Sequence, residues 1–400
     1  MERTSEDLIV IGAGIQGVTL ALALAERGVG STILERGPGP LSQASLGNEG
    51  KIHLGFVYAL DRTGRTTAAM VEGALTFTPL LERWCGEMDW RANRSGRFAY
   101  VMIDGGLAGP GELEHHYELV MEEIDRAAGE LGCRYLGDDS MPEVHRGRGP
   151  APGLREGVSS AWFETPERSV DPRMICGSLS RALAEEPLIE LRTGHDVRGV
   201  ERVRSGFSLK TATPSGPVAF EASRVVNCSW ENRLGLDRQA LGEAAEACYR
   251  VKHQVIVRGG GSSALTPLTL VQGPYGDLVP WPGGDVYISW YPVARTYFGD
   301  RPANDLSPDP AVAEATLAEM TRLVPGLAGF RVVGHGPCHI VAAGSSDIED
   351  PSSGLHSRSR TGVAGSDGWW SPSSGKLTTA PLASERCAAE ITGSRPDLPE

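Results

Sequence analysis

The chain has 400 residues, of which 40% are hydrophobic and 22% charged, and its formal net charge is -13 at pH 7. This is the composition of a globular protein long enough for two domains. The net negative charge disfavours nucleic acids and anionic membrane surfaces as partners. No apolar run is long enough to span a membrane, and the seven cysteines lack CxxC spacing. We therefore expect reduced thiols, a cytoplasmic location and no metal site.

The N-terminal segment predicts a βαβ unit that binds a dinucleotide. Residues 8–11 form a short apolar run, typical of a strand buried on both faces, and the next residues are Gly12-Ala-Gly14-Ile-Gln-Gly17. Glycines at this spacing permit a tight turn, close approach of a pyrophosphate, and close packing of the helix predicted over residues 15–27. A second strand at 31–34 ends in Glu35, whose carboxylate would bind a ribose hydroxyl.

The middle of the chain alternates helices with short strands. Helices are predicted over residues 66–87, with a break at Pro79, over 112–131, from Pro172 onward with Asp171 as cap, and over 311–324. Alternating runs at 196–203, 207–212 and 218–221 predict an antiparallel meander, and a separate strand is predicted at 224–230. Further strands are predicted at 248–258 and 286–291. Residues 44–58, rich in small and amide side chains, suit a segment lying against a flat ligand.

The C-terminal region favours a flavin over NAD. Residues 362–381 place a short strand and a Gly/Ser loop before a helix whose N-terminus is predicted at 376–379. Free amides and the positive end of the helix dipole at that point suit the anionic edge of a reduced flavin. A simple NAD dehydrogenase would continue in regular βα units instead.

These segments resemble the FAD-dependent D-amino acid oxidase superfamily, whose members include glycine and sarcosine oxidases and glycerol-3-phosphate and 2-hydroxyglutarate dehydrogenases. The matching segments are residues 12–17 with Glu35, 225–229 and 375–378. Residues 53–58 and 279–281 are similar to the hydroxy-acid and glycerol-phosphate branch. The chain departs from that branch at 289–293 and at 334–339, where an arginine is missing, so the substrate class stays open.

The resemblance implies an α/β fold in which a Rossmann-like FAD-binding domain accompanies a discontinuous, mixed-sheet substrate domain. The FAD-binding domain would comprise residues 1–75, 150–245 and 345–395, and the substrate domain residues 76–149 and 246–344, with 396–400 as a tail. The cofactor-binding residues that it implies are Gly12, Gly14, Ile15, Gln16, Gly17, Glu35, Arg36, Ser45, Asn48, Glu49, Gly50, Lys51, Val197, Cys228, Ser229, Gly375, Lys376, Leu377 and Thr378.

The activity implied is removal of a hydride from a CH–OH or CH–NH carbon of a small polar substrate to N5 of FAD. Oxygen or a redox partner would then accept the electrons. Two alternatives stay open: a non-catalytic flavoprotein subunit of a larger dehydrogenase, and an NAD-dependent dehydrogenase.

His53 is the candidate catalytic base, because its loop is expected to reach the flavin ring and imidazole suits proton transfer near neutral pH. The alternatives are a histidine that only orients the flavin, or one that binds it covalently. His356, Arg358 and Arg360 alternate before the C-terminal strand, which predicts either a polar strand face with salt bridges or one side chain that reaches the site. The candidate substrate-binding residues are Tyr58, Arg97, Tyr249, His253, Tyr291 and Arg358.

Overall fold

The computed structural model describes residues 3–273, 275–358 and 362–398, which form a mixed α/β fold. The helices are α1 (Ile15–Ala25), α2 (Arg65–Cys85), α3 (Trp90–Asn93), α4 (Pro110–Leu131), α5 (Pro172–Glu185), α6 (Arg233–Leu241), α7 (Tyr291–Ala294), α8 (Pro310–Leu323) and α9 (Ala380–Thr392). The strands are β1 (Arg3–Ile11), β2 (Ser31–Leu34), β3 (Lys51–Ile52), β4 (Ala99–Ile103), β5 (His145–Arg146), β6 (Ser159–Glu164), β7 (Arg168–Ser169), β8 (Ile189–Arg192), β9 (Asp196–Val203), β10 (Gly206–Thr213), β11 (Gly216–Asn227), β12 (Ala247–Arg258), β13 (Leu268–Val271), β14 (Gly276–Pro280), β15 (Asp285–Trp290), β16 (Arg295–Gly299), β17 (Arg331–Ala343), β18 (Gly362–Ser366) and β19 (Trp369–Ser373).

The first sheet contains the predicted βαβ unit. Its strand order is β18-β19-β11-β1-β2-β8, and β1 lies parallel to both β2 and β11. Strands β9 and β10 extend β11 as an antiparallel meander. Helix α1 packs against α9, and its residues from Gly17 to Ala25 are buried. The apolar end of β1 is buried as well, as expected for a central parallel strand.

The second sheet supplies the other wall of the molecule. Its strand order is β16-β12-β15-β14-β13-β4-β6-β5, with the long strand β17 also paired to β12. Helix α8 packs against β12 and β15, where Leu317 and Met320 join an apolar core. A short antiparallel pair, β3 with β7, lies apart from both sheets and carries the segment that leads to His53.

The predicted βαβ unit and the meander are confirmed. The predicted Asp171 cap is confirmed as well, because its side chain accepts a hydrogen bond from the Arg173 N–H. The predicted break at Pro79 is wrong, because α2 continues through it. Leu75, before Pro79, and Leu80 and Leu81, after it, are each at most 1% exposed. Their packing stabilises the helix although Pro79 cannot donate a backbone hydrogen bond.

Two further boundaries are wrong. Strand β11 is continuous where two strands were predicted, because β10 pairs with its residues 216–222 and β1 with 219–227, so the two pairings overlap. The last helix begins at Ala380, one turn later than predicted. Thr379 donates its hydroxyl to the Ser374 carbonyl, which closes a turn there, and Pro381 then favours the start of the helix.

The proposed division into two domains stays a prediction. Strand β6 lies in a segment assigned to the FAD-binding domain but pairs with β4 in the second sheet. All seven cysteines are free thiols. None of the described helices combines the length and the apolar character needed to cross a bilayer.

Candidate functional site

A cavity of about 760 Å³ is lined by residues of both sheets. This volume lies within the range of roughly 300–1,000 Å³ typical of small-molecule sites. Its wall includes Ile11 and Leu34, at the carboxyl ends of β1 and β2, which is where parallel sheets of this kind bind ligands. The cavity is therefore where the sequence places the dinucleotide.

The three glycines of the motif have different structural roles. Gly12 has a φ of +94°, and a Cβ on it would lie 2.9 Å from the Cys228 carbonyl oxygen. A Cβ on Gly17 would overlap the carbonyl oxygen of Gly12, so Gly17 permits close packing of helix against strand. Gly14 lines the cavity, and a Cβ there would meet only the Ser45 hydroxyl, at an ordinary 3.5 Å. The protein thus leaves space above Gly14 for a ligand.

Glu35 lies at the cavity wall and is 8% exposed. Its Oε2 accepts from the Ala13 N–H at 2.8 Å, and its Oε1 accepts from the Gly37 N–H at 2.7 Å. The carboxylate therefore ties the glycine loop to the loop after β2, in addition to its predicted role on a ribose.

Most of the predicted cofactor-binding residues meet in this cavity. Gly17, Gly50 and Thr378 lie behind the lining and support it; a Cβ on Gly50, for example, would overlap the Val170 carbonyl oxygen. The predicted residues that line the cavity are Gly12, Gly14, Ile15, Gln16, Glu35, Arg36, Ser45, Asn48, Glu49, Lys51, Val197, Cys228, Ser229, Gly375, Lys376 and Leu377.

His53 lines the same cavity and is 3% exposed. Its Nε2 lies 3.6 Å from Oε1 of Glu49, and its Nδ1 lies 3.4 Å from Oε1 of Glu167. Both distances exceed those of a good hydrogen bond, and neither ring nitrogen has a hydrogen-bond partner among the described residues. The imidazole ring thus lies between two carboxylates and forms a short hydrogen bond with neither.

Sequence reasoning missed Glu167, which follows β6 in a segment without any local motif. Its side chain is fully buried; Oε2 accepts from the Leu54 N–H at 2.6 Å, and Oε1 accepts from the Tyr100 hydroxyl. Burial alone would raise the pKa of Glu167, but the facing His53 and Lys51 hold it below its ordinary value. Glu167 is therefore a carboxylate at neutral pH.

Two lysines, Lys51 buried and Lys252 partly buried, complete this end of the cavity. Lys51 Nζ lies 2.8 Å from Oδ1 of Asp277 and 4.3 Å from the centroid of the Phe98 ring. Lys252 Nζ lies 3.4 Å from the Ser289 hydroxyl. Burial alone would lower the pKa of Lys252, but its surroundings, which include Tyr287, Glu49 and Asp277, raise it.

The predicted substrate-binding residues divide into two groups. Tyr58, Tyr291 and Arg358 line the cavity, whereas Arg97, Tyr249 and His253 lie outside the lining. Arg97 forms an ion pair with Glu164 instead. His253 faces away because side chains alternate along β12, so its neighbour Lys252 takes the cavity position.

Arg358 is 9% exposed and held in place from two sides. Its backbone N–H donates to the Thr66 hydroxyl at 2.9 Å, and its guanidinium donates to the Val341 carbonyl at 3.3 Å. Its Nε has no partner among the described residues. Arg360, singled out with it from the sequence, lies outside the described residues.

This fold and site define a flavin-dependent oxidoreductase. The family model for FAD dependent oxidoreductases, DAO, matches residues 7–389, and the chain belongs to this family. The family decides the cofactor in favour of FAD, against the NAD alternative.

Two curated relatives are bifunctional proteins of tRNA 5-methylaminomethyl-2-thiouridine biosynthesis, MnmC. The one from Burkholderia pseudomallei is 25% identical over 410 residues, which covers 97% of this chain and 56% of the relative. The one from Pseudomonas entomophila is 27% identical over 248 residues, which covers 56% of this chain and 36% of the relative. The chain therefore spans about a third to a half of the length of these two relatives.

Solved structures share the fold at low sequence identity. Glycine oxidase from Geobacillus kaustophilus has a TM-score of 0.71 at 16% identity, covering 100% of this chain and 97% of that one. L-proline dehydrogenase from P. horikoshii has a TM-score of 0.68 at 16% identity, covering 100% and 96%.

The residues present fit FAD. The open face of Gly14 and the neighbouring loop amides would hold the pyrophosphate, Glu35 the ribose, and residues 375–377 the flavin end. Bound FAD would supply a two-electron acceptor for a substrate C–H bond.

Proposed function

We propose that this protein oxidises the C–N bond of a small amine that carries a carboxylate, such as an amino acid. Arg358 carries this proposal, because it is a nearly buried guanidinium that lines the cavity with Nε unpartnered among the described residues. A guanidinium pairs well with a planar carboxylate through two parallel hydrogen bonds. Arg358 would thus anchor the substrate carboxylate while hydride leaves the adjacent CH–NH carbon.

The names of the similar proteins support an amino acid. Among them are a glycine oxidase, an L-proline dehydrogenase, and a D-amino acid dehydrogenase from Rhizobium johnstonii that is 37% identical over 19% of this chain. The names of the MnmC relatives point to another candidate substrate, an amine on a tRNA base. The net charge of -13 disfavours that substrate, because a polyanion would be repelled.

An alcohol is the second candidate substrate, and His53 favours it. Alcohol oxidation needs a base for the hydroxyl proton, and His53 lies at the cavity wall. An amine that binds in its neutral form is oxidised directly, whereas one that binds as the ammonium must first give up a proton to a base. For either substrate, the final electron acceptor would be oxygen or a redox partner.

The test is anaerobic bleaching of the yellow FAD-loaded protein by a panel of amino acids, their decarboxylated amines and 2-hydroxy acids. We expect amino acids to bleach the flavin and the decarboxylated amines to fail. Arg358→Gln should weaken apparent substrate affinity by about 10- to 100-fold, the loss expected for a charged hydrogen bond. Arg97→Gln, which removes an arginine outside the cavity, is the matched control. Equal bleaching by amines without a carboxylate would overturn the proposal.

A further inference from the structure

We propose that Glu49, His53 and Glu167 form one proton-handling array, in which His53 takes the substrate proton and Glu167 is the positioning residue behind it. The array deepens the proposed function, on which it rests. Glu49 lies on the cavity side of the ring and Glu167 on the buried side. The sequence offers no motif that joins these three residues.

The buried side fixes the ring orientation. Tyr100 is fully buried, and burial together with the charge of Glu167 raises the pKa of Tyr100, so its hydroxyl stays protonated and donates to Glu167. The Leu54 N–H occupies the other carboxylate oxygen. A carboxylate with these two donors still accepts a third, and the facing group is Nδ1 of His53. With its proton on Nδ1, the ring presents the lone pair of Nε2 toward Glu49 and the cavity.

The cavity side keeps a second negative charge next to the ring. Burial alone would raise the pKa of Glu49, but His53 and the charges of Lys376, Lys252 and Lys51 hold it well below its ordinary value. Glu49 is therefore ionised at neutral pH. When His53 accepts a proton, the resulting cation lies between two carboxylates, which stabilise it.

The step is a proton transfer. An N–H bond of the substrate ammonium breaks, the proton bonds to Nε2 of His53, and the electron pair stays on the substrate nitrogen. Loss of a hydride from the adjacent carbon then lets the nitrogen electron pair form the C=N bond of an iminium ion, and bound FAD would supply the two-electron acceptor. The distances of 3.4 and 3.6 Å fit this scheme, since catalytic hydrogen bonds are often long until substrate binds.

The first test measures flavin reduction by rapid mixing, from pH 5 to 9, in the FAD-loaded full-length protein. Glu167→Gln should slow reduction by at most the roughly 10²–10⁴-fold that the base itself contributes, since His53 stays in place. The midpoint of its rise with pH should move to lower pH, because the ring loses a facing negative charge. Glu385→Gln is the matched control, since Glu385 is an equally buried carboxylate that pairs with Arg27 and Arg83 instead. It should lower stability without moving the midpoint.

The second test does not depend on turnover. ¹⁵N NMR of the histidine rings, with His53 assigned through His53→Gln, should show Nδ1 protonated in the FAD-loaded protein. That preference should weaken in Glu167→Gln. If Glu167→Gln does not fold, Tyr100→Phe serves instead: it removes a competing donor to Oε1 of Glu167 and keeps the carboxylate, so the preference for a protonated Nδ1 should strengthen.

The two proposals fail in different ways. If no amino acid reduces the flavin, the proposed function is wrong, while the NMR spectra still test the array. If amino acids do reduce it and the His53 signals and the pH midpoint are the same in Glu167→Gln as in the unmodified protein, the array is wrong.

Discussion

The backbone N–H of His53 donates a 2.8 Å hydrogen bond to Oγ1 of Thr378, which lies 325 positions further along the chain. Both residues are buried, His53 at 3% exposure and Thr378 at 0%. The bond joins the segment after β3 to the loop before α9, and both of these line the cavity. The position of the candidate base is therefore tied to the predicted flavin-binding loop.

Thr378→Val tests how much that hydrogen bond contributes to stability and to the rate of flavin reduction. The substitution keeps the shape of the side chain and leaves the buried His53 N–H without an acceptor, which costs about 1–3 kcal/mol. We expect a lower free energy of unfolding and slower flavin reduction, measured by denaturant titration and rapid mixing. Thr378→Ser keeps the hydroxyl and should stay close to the unmodified protein. A loss in Thr378→Ser with none in Thr378→Val would mean that packing of the methyl group matters rather than the hydrogen bond.

The sequence predicted local features of this fold well. The apolar strand, the glycine motif, the helix and Glu35 follow one another within a short stretch, and each has its own physical signature. The same holds for the cap at Asp171, where the capping side chain and the helix are adjacent. Such signals do not depend on what distant parts of the chain do.

The sequence could not predict features set by distant partners. The pairing of β3 with β7 brings Glu167 next to His53, and no local sequence pattern predicts that pairing. The alternation along β12 does not show which of its faces meets the cavity, so the sequence indicates His253 where the structure places Lys252. Helix α2 continues through Pro79 because of burial that local propensity does not include.

Gly14→Ala and Gly17→Ala should separate cofactor binding from folding. A Cβ at Gly14 makes only an ordinary contact with Ser45, so Gly14→Ala should fold normally and lose FAD, because the methyl group occupies the pyrophosphate space. A Cβ at Gly17 overlaps the Gly12 carbonyl, so Gly17→Ala should lower the stability of the apoprotein itself. FAD content from absorbance and the melting temperature of the apoproteins measure the two effects. A Gly14→Ala protein that retains FAD would contradict the assigned path of the pyrophosphate.

Lys51, which is buried, and Asp277, whose side chain is 15% exposed, should behave as a coupled ion pair. Lys51→Met leaves Asp277 without its main counter-charge, and breaking a buried ion pair in this way costs about 3–5 kcal/mol. The double variant Lys51→Met, Asp277→Asn removes both charges and should be less destabilised than the sum of the two single variants. Denaturant titrations of the four proteins give the coupling. Additive losses would show that the two charges act independently.

The last prediction concerns the acid sensitivity that His116 confers. Burial lowers the pKa of His116 below its ordinary value of 6.5, against the opposing effects of its bond to the Gly55 carbonyl and the charge of Asp61. Between the lowered pKa and 6.5 the unfolded chain binds a proton that the folded protein does not. The contribution of His116 to stability therefore falls as the pH drops through that window.

His116→Gln should lessen this loss, because the glutamine amide can still donate to the Gly55 carbonyl but does not titrate. We expect the melting temperature of the variant to fall less between pH 7.5 and pH 5 than that of the unmodified protein. A partial decline should persist, since burial also lowers the pKa values of His253, His339 and His356. His115→Gln, which changes the exposed neighbour, should keep the full decline. An identical pH dependence in His116→Gln and the unmodified protein would show that His116 does not contribute.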